Sequence, residues 1–178
     1  NYLEKAKLEF TKSDLVDGTV ISNVEISIFT DKDELVFTGM TDENGKIIID
    51  NLFVGKFYII EKNPATGYIQ SDEKVFFEIK ENNEVVKAKM TNKKITSTLK
   101  DTKIDDDGIL LPGVKFGIYD LEDKLISEHI TDENGYFEVV LEYGKYYLKE
   151  ISTLDNYVIS SEKFFFEVVE NEMIIENT

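Results

Sequence analysis

The sequence predicts an all-β protein made of two tandem seven-stranded domains, each a sandwich or a barrel, and three observations predict it. β-Branched and aromatic residues are frequent, while Pro occurs only twice in 178 residues, a composition suited to pleated strands. Asp-Gly and Asn-Gly steps separate short runs that alternate apolar and polar residues, as in hairpins. The chain also repeats itself. Thr131-Asp132-Glu133-Asn134-Gly135 copies Thr41-Asp42-Glu43-Asn44-Gly45 at an offset of 131 − 41 = 90. Residues 162–167 match 73–78 at 162 − 73 = 89, and 114–119 match 24–29. A period of that length is a whole small domain and not a solenoid unit.

In the first copy, residues 6–12 alternate, with Leu8, Phe10 and Lys12 on one face of a strand. Asp17-Gly18 marks a turn. Residues 23–29 alternate again through Val24, Ile26 and Ile28. Leu35-Val36-Phe37 is a short strand, and the Thr41–Gly45 run is a strong turn signal leading into a return strand over 46–49. Gly55 ends a short connection into Phe57-Tyr58-Ile59-Ile60-Glu61. Residues 74–79 and 84–90 supply the last two strands, split by Glu81-Asn82-Asn83. The spacing is that of a sandwich or barrel. The boundary falls near Lys93-Lys94, giving domains 1–94 and 95–178. The linker is short and lacks Gly or Pro, so an elongated, fairly stiff rod is expected.

A formal net charge of −16 argues against a nucleic-acid partner, which needs a basic face, and against docking on anionic lipid. No apolar run is long enough to cross a bilayer, and no leader segment is found, so a secreted protein would be represented here by a mature or excised piece. There is no Cys, no Arg, no Trp and one His. Disulfides and thiolate sites are excluded, and acid–base enzymology is disfavoured. No cofactor and no metal are expected. Asp105-Asp106-Asp107-Gly108 and Asp42-Glu43-Asn44-Gly45 lack the ligand spacing and closing Glu of a calcium loop and read as acidic turns. His129 lies in a polar-edged strand without an evident partner and reads as exposed. Phe164-Phe165-Phe166, with its repeat at Val75-Phe76-Phe77, reads as a core strand flanked by charges.

The stretch most worth following is 57–61, an apolar strand with a carboxylate at its end, followed by Asn63-Pro64-Ala65-Thr66-Gly67-Tyr68. Tyr146-Tyr147-Leu148-Lys149-Glu150 repeats it, with Tyr157 again seven residues past the Glu. On pattern alone, strand-end glutamates and strand lysines are solvated and a terminal Asn is a turn residue. Repetition of the placement argues that these glutamates point inward.

Taken together, Lys12-Ser13-Asp14, the Thr-Asp-Glu-Asn-Gly turn, the Glu61…Gly67-Tyr68 step and a last strand ending in Asn92, all largely repeated in the second half, resemble the Cna B-type domain. That prealbumin-like sandwich occurs in tandem in surface adhesins and pilins of Gram-positive bacteria. The resemblance implies an internal isopeptide bond between a Lys of the first strand and an Asn of the last, promoted by a buried acid. It implies Lys12, Asn92 and Glu61 in the first domain, and Lys103, Asn177 and Glu150 in the second. Lys100 competes with Lys103, from which it is three residues removed and so on the opposite face; Lys103-Ile104-Asp105 parallels Lys12-Ser13-Asp14. The sequence departs from the family at Pro64-Ala65, the reverse of the usual order, and at Asn156, which stands where the family has Gly but tolerates a left-handed backbone.

The residue types suit that chemistry. Burial lowers a Lys pKa and favours the nucleophilic amine; burial raises a Glu pKa and favours a proton-donating acid that can bond the Asn carboxamide oxygen. Folding supplies proximity, so the reaction is single-turnover. A Lys12–Asn92 link closes a loop of 92 − 12 = 80 residues and routes tension through covalent bonds. The expected role is a stalk or shaft segment of a cell-wall-attached extracellular adhesin or pilin, whose partners are adjoining domains of the same protein. The alternatives are a module binding a host extracellular-matrix protein and an accessory domain of a secreted carbohydrate enzyme.

Overall fold

The computed structural model describes residues 5–178. The chain divides into two compact units, 1–94 and 95–178, and every regular element among the described residues is a strand. Unit 1 contains β1 (Ala6–Asp14), β2 (Glu25–Thr30), β3 (Leu35–Met40), β4 (Lys46–Leu52), β5 (Gly55–Asn63), β6 (Val75–Ile79) and β7 (Val85–Asn92). Unit 2 contains β8 (Thr96–Thr102), β9 (Lys115–Asp120), β10 (Leu125–Ile130), β11 (Tyr136–Glu142), β12 (Gly144–Ser152), β13 (Lys163–Val168) and β14 (Ile174–Asn177). Each unit pairs a three-stranded sheet, β4-β1-β7 or β11-β8-β14, with a four-stranded one, β3-β2-β5-β6 or β10-β9-β12-β13.

The sheets follow from alternation. In β1 every second residue from Ala6 to Asp14 is buried, so Leu8, Phe10, Lys12 and Asp14 share the inner face, as a period of two requires. Phe57, Ile59 and Glu61 form the matching inner row of β5. Leu8, Phe10, Val24, Ile26, Ile28, Ile59 and Ile79 have no exposed surface. β1 lies between an antiparallel neighbour, β4, and a parallel one, β7. The first and last strands of the unit are therefore side by side.

Two readings of the sequence need correcting. The Phe runs are core strands on one face only. Phe77 stacks inward on Phe57 at 5.2 Å, while Phe76 and Phe165 point outward and are 73% and 62% exposed, because consecutive strand residues face opposite ways. His129 is half-buried and partnered. Ser127, two residues away on the same face, meets its Nε2 at 2.8 Å, and Phe137 stacks on the ring at 5.2 Å. Burial lowers its pKa.

The repeated Thr-Asp-Glu-Asn-Gly turn places β1. Asp42 Oδ1 accepts the N–H groups of Asn44 and Lys46 at 2.8 and 2.9 Å. Gly45 sits at φ 68°, and a Cβ there would meet the Lys12 carbonyl at 2.6 Å. The turn thus packs against Lys12 and hydrogen-bonds to it, Lys12 N–H to Gly45 O at 2.7 Å. Thr41 is buried. Its hydroxyl donates to Ile21 O at 2.8 Å and accepts from Val24 N–H at 3.0 Å. Thr131 makes the same pair with Leu111 O and Val114 N–H at 2.7 and 2.9 Å. Thr41→Val keeps the shape but strands a buried donor and acceptor, at a cost of about 1–3 kcal/mol each. Denaturant unfolding of the variant should show a loss in that range, and an unchanged midpoint would refute this role for Thr41.

Candidate functional site

In unit 1 the three expected residues meet. Lys12 has no exposed surface, and Glu61 and Asn92 are 4% and 3% exposed. Lys12 Nζ lies 3.0 Å from Glu61 Oε1. Asn92 Nδ2 lies 2.8 Å from the same oxygen and 3.0 Å from Oε2. One carboxylate oxygen therefore touches both the amine and the carboxamide nitrogen. Strand pairing explains the convergence. In the parallel β1–β7 register Lys12 faces Met90 and Asp14 faces Asn92, so Asn92 is the diagonal neighbour of Lys12 on the inner face. Glu61 is brought in from the opposite sheet, at the point where the β2–β5 register shifts next to the Ile26–Glu61 pair.

The orientation of the carboxamide differs from the expected one. Asn92 Nδ2 also donates to Ile69 O at 2.8 Å. A backbone carbonyl can only accept, so the nitrogen must face this side and the carbonyl oxygen turns away from Glu61. That oxygen is buried without a hydrogen bond. Glu61 is held from behind by Ser71 N–H, 2.6 Å from Oε2. Burial lowers the pKa of Lys12 and outweighs the hydrogen bond and charge of Glu61, which raise it. Beside the triad, burial works against ionised Asp14, but N–H donation from Val16 and Asp17 holds its pKa below the ordinary value; the two bonds are 2.8 and 3.1 Å. Tyr68, following Gly67 at φ 88°, also faces Asp14 and has its own pKa raised, first by burial and then by Asp14. Tyr157 reaches Asp105 in the same way at 3.2 Å, and Asn156 does adopt a left-handed φ of 71°.

Unit 2 reproduces half of this arrangement. Lys103, not Lys100, holds the place of Lys12: its N–H donates to Gly135 O at 2.7 Å and its carbonyl accepts from Leu111 N–H at 2.9 Å, just as Lys12 bonds Gly45 and Ile21 at 2.7 and 3.0 Å. Lys100 pairs with Glu138 and Glu176 instead. Lys103 Nζ lies 3.6 Å from Glu150 Oε2, with 29% of its side chain exposed. Asn177 goes elsewhere. It pairs with Asp101 across β8–β14, and its Nδ2 donates to Asp101 Oδ1 at 2.7 Å. With Lys103 in the place of Lys12, Asp101 stands where Phe10 does (101 − 10 = 103 − 12 = 91). Phe10 faces Ala88, so Asn177 holds the place of Ala88, four residues short of Asn92.

Two signals in the sequence mark this difference. The offset between copies is 89 at the Phe strand but 177 − 92 = 85 at the last Asn, a slip of four. Asp101 also lies two residues from Lys103 and therefore on its face, an acid on an inner row. Ser71 and Ile69 carry no such signal, because their backbones do the work.

Burial raises the pKa of Asp101, and the nearby Glu150 charge adds to the rise; Asn177 and Lys103 oppose it. Folded unit 2 thus binds a proton at Asp101 at pH values where the unfolded chain has lost it. Stability falls as pH climbs from the ordinary 3.8 through the folded value. Asp101→Asn should abolish that fall. Amide exchange of β8 across this pH range measures it, and an unaltered pH profile in the variant would show that Asp101 is not its source.

Comparison with known proteins agrees with the fold. The family described as SpaA, prealbumin-like fold domain, matches residues 6–94 and again 97–178. Serine-aspartate repeat-containing protein D of Staphylococcus aureus strain NCTC 8325 is 30% identical over 120 residues, 66% of this chain and 6% of that protein. Protein E of strain N315 is equally similar over 66% of this chain and 7% of its own length. The chain thus spans a small part of these curated relatives. Among solved structures, the Bacillus anthracis TIE protein superposes with a TM-score of 0.90 and 38% identity over 97% of this chain and 33% of that one. The C-terminal fragment of pilus adhesin SpaC from Lactobacillus rhamnosus GG shares the fold at a TM-score of 0.66 and 14% identity, over 93% of this chain and 82% of that one. With both units matched along nearly their whole length, the chain belongs to the SpaA prealbumin-like domain family as two tandem copies.

Proposed function

We propose that the chain is a load-bearing stalk segment of an extracellular surface adhesin or pilus protein, and that unit 1 locks itself with an isopeptide bond from Lys12 to Asn92. The observation that carries this reading is Glu61 Oε1 standing between Lys12 Nζ and Asn92 Nδ2, at 3.0 and 2.8 Å, in a closed core. A pilus adhesin fragment shares the fold, which supports a surface setting.

The geometry suggests the order of proton movements. Lys12 passes a proton to Glu61 and becomes an amine, as burial favours. Its nitrogen attacks Asn92 Cγ. The Nζ–Cγ bond forms and the Cγ–Nδ2 bond breaks. A second Lys12 proton reaches the departing nitrogen through Glu61, and ammonia leaves; Nζ keeps one hydrogen. Glu61 thus acts first as base and then as acid, and its contact with Nδ2 places it at the leaving group. Turnover of an external substrate forms no part of this proposal.

Intact mass under denaturing conditions tests it. Each bond removes one ammonia, ~17 Da, from the chain. Glu61→Ala should restore the mass of unit 1, with Lys12 and Asn92 recovered on separate peptides. It should also lower stability by about 4–5 kcal/mol on loop-closure grounds, a loss that Asn92→Ala, which also lacks the bond, should share. A wild-type unit 1 of full mass would remove the cross-link.

A second reading, binding of a host matrix protein, draws on the outward aromatic row Phe29–Tyr58–Phe76, with ring centroids 5.3 and 5.9 Å apart. Unit 2 repeats it as Tyr119–Tyr147–Phe165 at 5.0 and 5.6 Å. Direct binding to immobilised matrix proteins that is lost in Phe76→Ser and Phe165→Ser would favour it.

A further inference from the structure

The four-stranded sheet of each unit ends in a strand with one side unpaired. β6 and β13 stand last in the orders β3-β2-β5-β6 and β10-β9-β12-β13. Among the described residues, the backbone of β6 bonds only to β5 and that of β13 only to β12. Both edges are open. A groove of about 330 Å³ lies beside Phe76, Phe77 and Glu78, and unit 2 keeps one of about 240 Å³ beside Phe165, Phe166 and Glu167. Unpaired N–H and C=O groups along an edge are a template for a further strand, and proteins ordinarily blunt them with Pro, a bulge or a lysine. Neither strand contains Pro, and neither pairing has a register shift. Only the lysine is present.

That lysine belongs to a symmetrical pattern. Lys74, Phe76 and Glu78 share the outer face at a period of two, and Lys163, Phe165 and Glu167 repeat them. All six are exposed. Lys74 Nζ lies over the Tyr58 ring at 4.8 Å and Lys163 Nζ over Tyr147 at 4.4 Å, so each positive charge is held beside the edge phenylalanine. Phe76 closes an apolar rung across the whole sheet, Leu35–Phe29–Tyr58–Phe76. Unit 2 has the same rung, Leu125–Tyr119–Tyr147–Phe165. Two such edges are complementary when they run antiparallel about the phenylalanine. Lys74 then faces Glu78 of a second copy, Glu78 faces its Lys74, and the two Phe76 rings cover each other. An in-register parallel approach sets Lys on Lys and Glu on Glu, which cross-strand pairing disfavours.

We propose that β6 and β13 are self-recognising edges, and that each pairs antiparallel with an edge strand of a second copy of this chain, in the register that sets Lys74 or Lys163 against Glu78 or Glu167. The pairing makes no use of the isopeptide chemistry. A net charge of −16 opposes the approach of two copies, so the contact belongs to high local concentration.

Sedimentation of the 178-residue chain up to millimolar concentration tests this. The wild-type chain should associate reversibly. Lys74→Glu with Lys163→Glu makes both edges acidic at either end, and Glu78→Lys with Glu167→Lys makes them basic. Each double variant alone should associate about tenfold more weakly, and an equimolar mixture of the two should recover association. Register is read by disulfide formation, since the chain has no Cys of its own. Facing residues of an antiparallel pair lie within disulfide reach. A Lys74→Cys chain should therefore cross-link to a Glu78→Cys or Glu167→Cys chain and far more slowly to another Lys74→Cys chain. Equal yields in the three mixtures, or association that neither double variant weakens, would overturn the proposal. So would a wild-type chain that stays monomeric, which would leave these edges to a strand of another protein.

Discussion

The rest of unit 1 depends on keeping a lysine nitrogen inside a hydrocarbon core. Lys12 has no exposed surface, and taking its charge out of water costs several kcal/mol that only a well-placed partner offsets. Glu61 is that partner, and Glu61 is in turn fixed by Ser71 N–H and by the Asn92 carboxamide. A buried pair of this kind adds little net stability over an apolar substitute, although losing one member is expensive. Lys12 sits in an inner row that also holds Ala6, Leu8, Phe10 and Asp14, and its pairing with Glu61 is the feature on which the proposed isopeptide bond rests.

The two units show how the same frame tolerates different contents. The Thr-Asp-Glu-Asn-Gly turn and the threonine stitch recur nearly atom for atom, and the Tyr–Asp tie recurs in a more exposed form, with Tyr157 41% exposed. The inner row of the first strand does not. Where unit 1 packs Phe10 against Ala88, unit 2 pairs Asp101 with Asn177. An aromatic–small pair that fills space is replaced by an acid–amide pair that hydrogen-bonds, and the core near Lys103 is more open. The Lys103 side chain is 29% exposed against none for Lys12.

Much of this was legible in the residues. Alternation at Leu8, Phe10 and Lys12 placed the lysine on the core face, and duplication of the turn and Phe strands separated the units. The inward glutamates were recognisable because an apolar strand carried each to the same spot. Register shows in the residues only as the four-residue slip between the offsets of 89 and 85. A strand shifted by four residues keeps its inward-facing set, so Asn177 looks as well placed as Asn92 until the partner strand is known. Backbone donors and acceptors such as Ser71 N–H and Ile69 O are likewise invisible, since any residue could supply them. The outward turn of Phe76 and the partners of His129 are matters of which neighbour covers a face, which a linear pattern only half specifies.

The parallel pairing of β1 with β7 has a further consequence. Parallel neighbours put the start of the first strand and the end of the last at opposite ends of the strand axis, so the chain enters unit 1 at one pole and leaves at the other. Pulling on the two ends slides β1 past β7 along their common axis. The eight facing pairs from Lys7–Val85 to Asp14–Asn92 are then loaded together in shear, whereas an antiparallel pair pulled from one edge would unzip one rung at a time. The topology alone presents its strongest direction to a pull along that axis.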